Sequence, residues 1–254
     1  MRKSLKITKD LTNKIGILIH VPKTAGRSFG KVFIKDDLYV RSRHATALFL
    51  KNNQFEDREN DWDRLYKIAW VRNPWERVLS LWKFRYHRER ATSMHISKEE
   101  MVKNLNSIHK QNKDMLKIEK EIIEGYTYID DFKFWLFNYD MQIPKMFCRD
   151  DPYNRNPLTS LTYVSDLDEN IIVDFIGRFE HLDEDVDKLN KKFNHNYKVP
   201  RIVEHDKSLG RRLFLDRGFG TNYQDYYDDE SREYIAEVCK WEIEKFNYKF
   251  EKKA

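Results

Sequence analysis

Ile15-Gly16-Ile17-Leu18-Ile19-His20-Val21, then Pro22-Lys23-Thr24-Ala25-Gly26-Arg27-Ser28, then Phe29 to Ile34, is the stretch that decides the fold. The opening run is mostly apolar and β-branched, too compact for a helix and suited to a buried parallel strand. Pro22 ends it. The residues after it are small, hydroxylated or basic, and from Phe29 an apolar pattern resumes that a helix can carry. The reading is strand, tight loop, helix.

A loop of this kind exposes unpaired backbone N–H groups at a helix start, where the helix dipole also favours negative charge, so it suits a phosphate or sulfate. Lys23 adds a full positive charge. Thr24 and Ser28 add hydroxyl donors, and Gly26 is expected to let a ligand approach the backbone without a Cβ in the way. The nearest general pattern is the nucleotide-kinase P-loop, but there the lysine closes the glycine-rich stretch, whereas here it precedes the glycine. A plain Walker A is absent.

Leu65 to Val71 is a second candidate core strand, with Pro74 placed just past it for the first turn of a helix expected to run to about His87. Trp75, Val78, Leu79, Trp82 and Tyr86 recur at spacings of three or four and form one apolar face, read as core and not as a cofactor box. Two strand-loop-helix units thus bring their loops to the carboxyl ends of two strands, where open α/β sheets bind ligands.

His20-Val21-Pro22-Lys23-Thr24-Ala25-Gly26-Arg27-Ser28 resembles the 5′-phosphosulfate loop of carbohydrate sulfotransferases of the heparan-sulfate 2-O and chondroitin 4-O kind. Val71-Arg72-Asn73-Pro74-Trp75-Glu76-Arg77-Val78-Leu79-Ser80 resembles the same family's 3′-phosphate motif, with Arg72 and Ser80 at the ligand positions. The resemblance implies an α/β, P-loop-like three-layer fold with a central, mostly parallel sheet flanked by helices. It also implies 3′-phosphoadenosine-5′-phosphosulfate as donor, a glycan or other hydroxyl-bearing acceptor, and no metal. Lys23, Thr24, Ala25, Gly26, Arg27 and Ser28 would hold the donor's 5′ side.

The 254 residues suit one domain with a full core, with a helical insertion at about 88–125 that either walls a substrate cleft or is a solvated excursion. The net charge of +5 fits an anionic ligand but equally an ordinary solvated surface. Cys148 and Cys239 have no Cys or His neighbours at metal-ligand spacing, so they read as free thiols and suggest neither a zinc site nor a disulfide framework. Met1 to Lys14 lacks a signal-peptide core, and no later run is long enough to span a membrane. Golgi members of the resembled family carry an amino-terminal anchor, so the chain is expected to be either a cytoplasmic, bacterial-type relative or a trimmed catalytic domain. The sparse cysteines favour the cytoplasm.

Elsewhere the expectations are a polar turn through Arg41 to Thr46 into a short helix, and a connecting loop or frayed helix end over Asn52 to Asp63. An aromatic helix is expected over Tyr126 to Tyr139 and a long loop over Met141 to Pro157. Late strands are expected at Leu161–Val164 and Ile171–Ile176. The second is followed by Gly177-Arg178-Phe179-Glu180, read as a turn that also resembles the family, with Arg178 either paired to Glu180 or touching ligand. A helix to about Phe193 follows. Pro200 to Gly220 is basic and could form a lid, and a final helix starts near Asp228-Asp229-Glu230.

Moving a sulfuryl group to an alcohol places negative charge on the departing bridging oxygen, so the protein's task is positioning and charge stabilisation. Lys23 is the residue for that. The acceptor hydroxyl must also lose a proton, which suits histidine. Of the eight histidines, His44 in Arg43-His44-Ala45-Thr46 resembles the family's base position, with His20 the runner-up. Two other classes stay open: a P-loop-like kinase, for which no magnesium-ligand set is visible, and a non-catalytic binder of nucleic acid or anionic polysaccharide, which the basic balance alone supports. The paired motifs favour the enzyme and no nucleic-acid partner. No His-Glu-x-x-His and no nucleophile elbow occur.

Overall fold

The computed structural model describes residues 11–33, 39–42, 44–57, 59–93, 132–138, 153, 155–199 and 222–251. Four strands form one sheet: β1 (Gly16–Ile19), β2 (Tyr39–Arg41), β3 (Tyr66–Val71) and β4 (Phe175–Arg178), in the order β2-β1-β3-β4. Every pairing is parallel. The fold is therefore α/β, and all four strands deliver their carboxyl ends to one edge. Because β1 lies between β2 and β3, the chain leaves it in opposite directions, which makes the β1/β3 edge a topological switch point, the usual ligand crevice of such sheets.

The central strand β1 is wholly apolar and β3 is mostly so because both faces of the sheet are covered there. Ile17, Ile19 and Ala69 pack on one face with Ala47 and Leu50 of α2 (Ala47–Gln54), Trp62 of α3 (Glu59–Arg64), and Tyr163 and Val164 of a single helical turn. Leu18, Ile68 and Trp70 pack on the other, against Phe29 of α1 (Gly26–Val32) and a later helix's Leu182, Val186 and Leu189. A third cluster joins Trp75, Val78, Leu79 and Trp82 of α4 (Pro74–Ser93) to Phe132, Trp135 and Leu136 of α5 (Phe132–Asn138) and to Ile235. Trp75, Val78, Leu79 and Trp82 of the α4 stripe are core, as their spacing indicated, while the Tyr86 side chain lies outside the described residues.

Several sequence expectations are corrected. Tyr39–Arg41 is a strand that takes in the first residue of the turn expected over Arg41 to Thr46, and the short helix expected after that turn is α2. Residues 59–64 are helical within the expected loop. Leu161–Val164 is a helical turn, α6, not a strand. Side chains wind it: Thr159 Oγ1 accepts the Leu161 N–H at 3.1 Å and Ser165 Oγ donates to the Leu161 carbonyl at 2.8 Å, local bonds that compete with strand geometry. The next strand begins at Phe175, with Ile171 only bridged to Ser165, so Gly177 and Arg178 belong to β4 and not to a turn. Helix α4 runs past His87 to Ser93. Helix α7 (Leu182–Phe193) ends as expected, but the last helix is two, α8 (Asp229–Val238) and α9 (Lys240–Phe246), broken at Cys239. The insertion beyond 93, the long loop up to 152 with Cys148, and the basic 200–220 stretch lie outside the described residues.

Helix α4, which carries part of the second motif, is anchored from behind by Arg77. Its fully buried guanidinium donates through Nη2 to the Leu158 carbonyl. Nearby Glu242, equally buried, accepts from the Ser160 N–H at 2.5 Å and the Thr159 hydroxyl at 2.8 Å. Burial pushes the Glu242 carboxyl up and Arg77 partly offsets it. A carboxyl raised on folding loses stability as pH climbs from the ordinary carboxylate range through its folded value. Arg77→Met is expected to cost about 1–3 kcal/mol, the scale for leaving a buried polar group without its partner, here the Leu158 carbonyl. It should also carry that loss to higher pH, so urea midpoints fall more steeply with rising pH above the ordinary carboxylate range than the wild type's do. Parallel pH curves would show that the two side chains are uncoupled.

Candidate active site

The site sits where β1, β2 and β3 end. After β1 the chain runs through His20, Val21 and Pro22 into the loop, and two non-glycine residues there adopt left-handed backbone, Lys23 at φ 68° and Ala25 at φ 66°. His44, after β2, is a third at φ 77°. Each such conformation costs about 1–2 kcal/mol, and such strain tends to be kept where a site requires it. Thr24 is buried and its hydroxyl donates to the Val21 carbonyl at 2.8 Å, closing the loop on itself. Ala25 begins α1 with no side-chain cap on the first-turn N–H groups. Ser28 is buried in α1, while the Arg27 side chain lies outside the described residues.

Gly26 also makes room for a side chain of the protein itself. A Cβ there would stand 1.7 Å from Nε2 of His20, so the imidazole fills the space on that side of the glycine. His20 is held at its own backbone too: its N–H donates to Ser42 Oγ at 2.8 Å. The register explains why, since Leu18 pairs with Arg41 and the residues just beyond leave the sheet together.

The same divergence brings in His44. Its ring centroid is 4.1 Å from that of His20, and its Nδ1 is 3.1 Å from the His20 carbonyl oxygen. A carbonyl only accepts, so Nδ1 carries the proton in this contact and the neutral ring keeps its lone pair on Nε2. Such an imidazole is set to take a proton through one defined nitrogen. Arg43 lies outside the described residues.

From β3, Arg72 reaches the first loop: its Nη1 donates to the Lys23 carbonyl at 3.4 Å. Glu76 Oε2 accepts from Arg72 Nη2 at 3.0 Å and from Nε at 3.3 Å. Asn73 caps α4, its Oδ1 accepting the Glu76 N–H at 3.3 Å. Lys23, Arg72, His20 and His44 are thus brought to one edge. Ser80 is one helical turn beyond Glu76 and on the same side of α4, with no hydrogen bond linking it to these residues among the described ones.

A family model described as the Sulfotransferase family matches residues 12–249. The chain belongs to the sulfotransferase family. No curated protein and no solved structure gave a match. Membership makes the chain a transferase of sulfuryl groups with the family's P-loop-like fold, in line with the parallel sheet and with the two loop-bearing units. Among the described residues of this sulfotransferase no helix is long and apolar enough to cross a membrane, and no group of three His, Cys, Asp or Glu side chains is placed to hold a metal ion.

Sequence reasoning missed Ser42, Glu76 and Phe179 as parts of this neighbourhood. Ser42 follows a strand too short to show a period. Glu76 stands four residues after Arg72, an available signal, although Arg72 itself precedes the helix. Phe179 stood inside the Gly177-Arg178-Phe179-Glu180 segment that the sequence did single out, but its meeting with Arg72 follows from the β3–β4 pairing.

Proposed function

We propose that this sulfotransferase transfers the sulfuryl group of 3′-phosphoadenosine-5′-phosphosulfate to a hydroxyl of a carbohydrate acceptor, with His44 as base. The observation that carries the reading is convergence: three loops meet at the switch point, joined by the Arg72 contact to Lys23 and the His44 contact to His20. Two separated basic elements fit a nucleotide that bears anionic groups on both its 5′ and 3′ positions. A lone basic patch would not call for that pairing, and a kinase would call for a magnesium-binding set.

In this reading the loop from Lys23 to Ser28, Arg27 included, takes the 5′ side, with Lys23 and Ser28 supplying side-chain contacts and Thr24, Ala25 and Gly26 backbone N–H groups. Arg72 and Ser80 take the 3′-phosphate. Glu76 holds the Arg72 guanidinium in one orientation before any ligand arrives, which lowers the ordering cost of binding. The donor supplies the sulfur electrophile. His44 accepts the acceptor hydroxyl's proton at Nε2 while the new S–O bond forms, and Lys23 stabilises charge on the bridging oxygen as the old S–O bond breaks.

Donor labelled in its sulfuryl group, incubated with the protein and a panel of glycans in the presence of a chelator, is expected to give labelled glycan. In parallel, Arg72→Ala and Ser80→Ala are expected to weaken adenosine 3′,5′-bisphosphate roughly tenfold or more while changing adenosine 5′-phosphate little, the effect of losing charge-assisted bonds to one phosphate. Transfer of phosphate from ATP with magnesium, in place of sulfate transfer, would overturn the reading. So would equal losses for both nucleotides.

A further inference from the structure

We propose that Phe179 and Glu180 are positioning residues for the second anion pocket, and that through Arg72 and Asn73 they set how sharply the protein separates 3′-phosphorylated adenosine nucleotides from 3′-dephospho ones. The inference rests on the reading of Arg72 as the 3′-phosphate ligand.

The placement follows from strand register. Trp70 pairs with Gly177 and Val71 with Arg178, so Arg72 and Phe179 leave adjacent strands side by side. That closeness needs Gly177, because a Cβ there would lie 2.5 Å from Trp70 Nε1 and push β4 away from β3. Beyond the sheet the Arg72 guanidinium carbon lies 4.6 Å from the Phe179 ring centroid. A ring face attracts the cation without using its N–H groups, so Phe179 fixes the guanidinium plane and leaves the donors to other partners. Glu76 fixes one edge of that plane, and the Lys23 carbonyl touches Nη1. The three contacts together define where Arg72 can present its remaining donors.

Glu180 acts one residue further on. Its Oε1 accepts the Asn73 N–H at 2.8 Å and its Oε2 accepts the Tyr248 hydroxyl at 3.0 Å. Asn73 also donates from Nδ2 to the Lys249 carbonyl at 3.1 Å, so the sole residue between Arg72 and α4 is held by β4's extension and by the carboxyl-terminal segment. Burial and the neighbouring carboxylate keep the Tyr248 phenol protonated well above its ordinary range, so this hydrogen bond persists across working pH. Arg178 contributes through its backbone, its N–H donating to Asp185 Oδ2 at 2.7 Å. The Gly177-Arg178-Phe179-Glu180 segment therefore serves the second motif from a distant part of the chain.

The test is calorimetric titration of the full chain with adenosine 3′,5′-bisphosphate and with adenosine 5′-phosphate. Wild type should prefer the bisphosphate. Phe179→Leu, which keeps apolar volume but removes the ring face, should cut that preference roughly 3- to 30-fold, the scale of a cation–π contact, with 5′-phosphate affinity nearly unchanged. Phe179→Tyr should restore it. Glu180→Ala should lower the preference and Glu180→Gln should recover most of it, which keeps the proposal testable if the leucine variant does not fold. Equal weakening of both nucleotides by Phe179→Leu and Glu180→Ala, or an unchanged preference in both, overturns the positioning role while the Arg72 reading stands on its own alanine variant. A wild type with no preference removes the Arg72 reading, and this inference falls with it.

Discussion

Lys23→Ala is expected to turn over about a hundredfold to a thousandfold more slowly than wild type, the loss that follows removal of one preorganised charge stabiliser at a reacting oxygen. Lys23 stands at φ 68°, a backbone an alanine finds as uncomfortable as a lysine does, so the substitution leaves backbone strain in place. The bond from Arg72 reaches the Lys23 carbonyl, which every substitution retains. The kinetic change therefore reports the ammonium group. Lys23→Gly separates the two roles further: it should lose the same rate while gaining up to about 1 kcal/mol of stability by relieving the left-handed strain. Steady-state kinetics with thermal melts of both variants decide. Near-normal turnover in the alanine variant would take Lys23 out of the chemistry and leave it a loop-shaping residue.

Reading the chain from its sequence succeeded where the physics is local. β1 and β3 are apolar runs because a parallel strand covered on both faces must be apolar, and the loops after them announce themselves by Pro22, Gly26 and Pro74. β2 and β4 failed that test for opposite reasons. Tyr39–Arg41 is too short to carry a pattern, and three of the four β4 residues are only partly buried, so the strand lacks a continuous apolar run. Leu161–Val164 misled through composition, since its tyrosine, threonine and valine suit a strand while side-chain bonds and burial of Tyr163 and Val164 impose a helical turn. At the site, the residue types of the first loop singled out Lys23 and the family resemblance pointed to Arg72 and His44, but neither told what surrounds them. That Gly26 makes room for an imidazole, or that Glu180 holds the backbone 107 residues away at Asn73, depends on pairings that only the folded sheet creates.

His44→Ala is expected to lower turnover by roughly two to four orders of magnitude, the span of general-base catalysis, while affinity for adenosine 3′,5′-bisphosphate stays near wild type. The split follows from placement: His44 comes from the end of β2, while the proposed nucleotide contacts come from the loops after β1 and β3 and from α4. Two contacts restrict the imidazole. Its Nδ1 proton is engaged by the His20 carbonyl, and its face lies beside the His20 ring, so the lone pair that could accept a proton is confined to Nε2. Activity should therefore rise with pH as the imidazole gives up its proton, and that rising limb should vanish in His44→Ala. His20→Gln is the informative companion. It keeps the backbone carbonyl that orients His44 but removes the ring that fills the space beside Gly26, so it should slow turnover through misplacement while keeping the limb. If His44→Ala retains both its rate and its limb and His20→Gln loses both, the base is His20, and His44 is the residue that supports it.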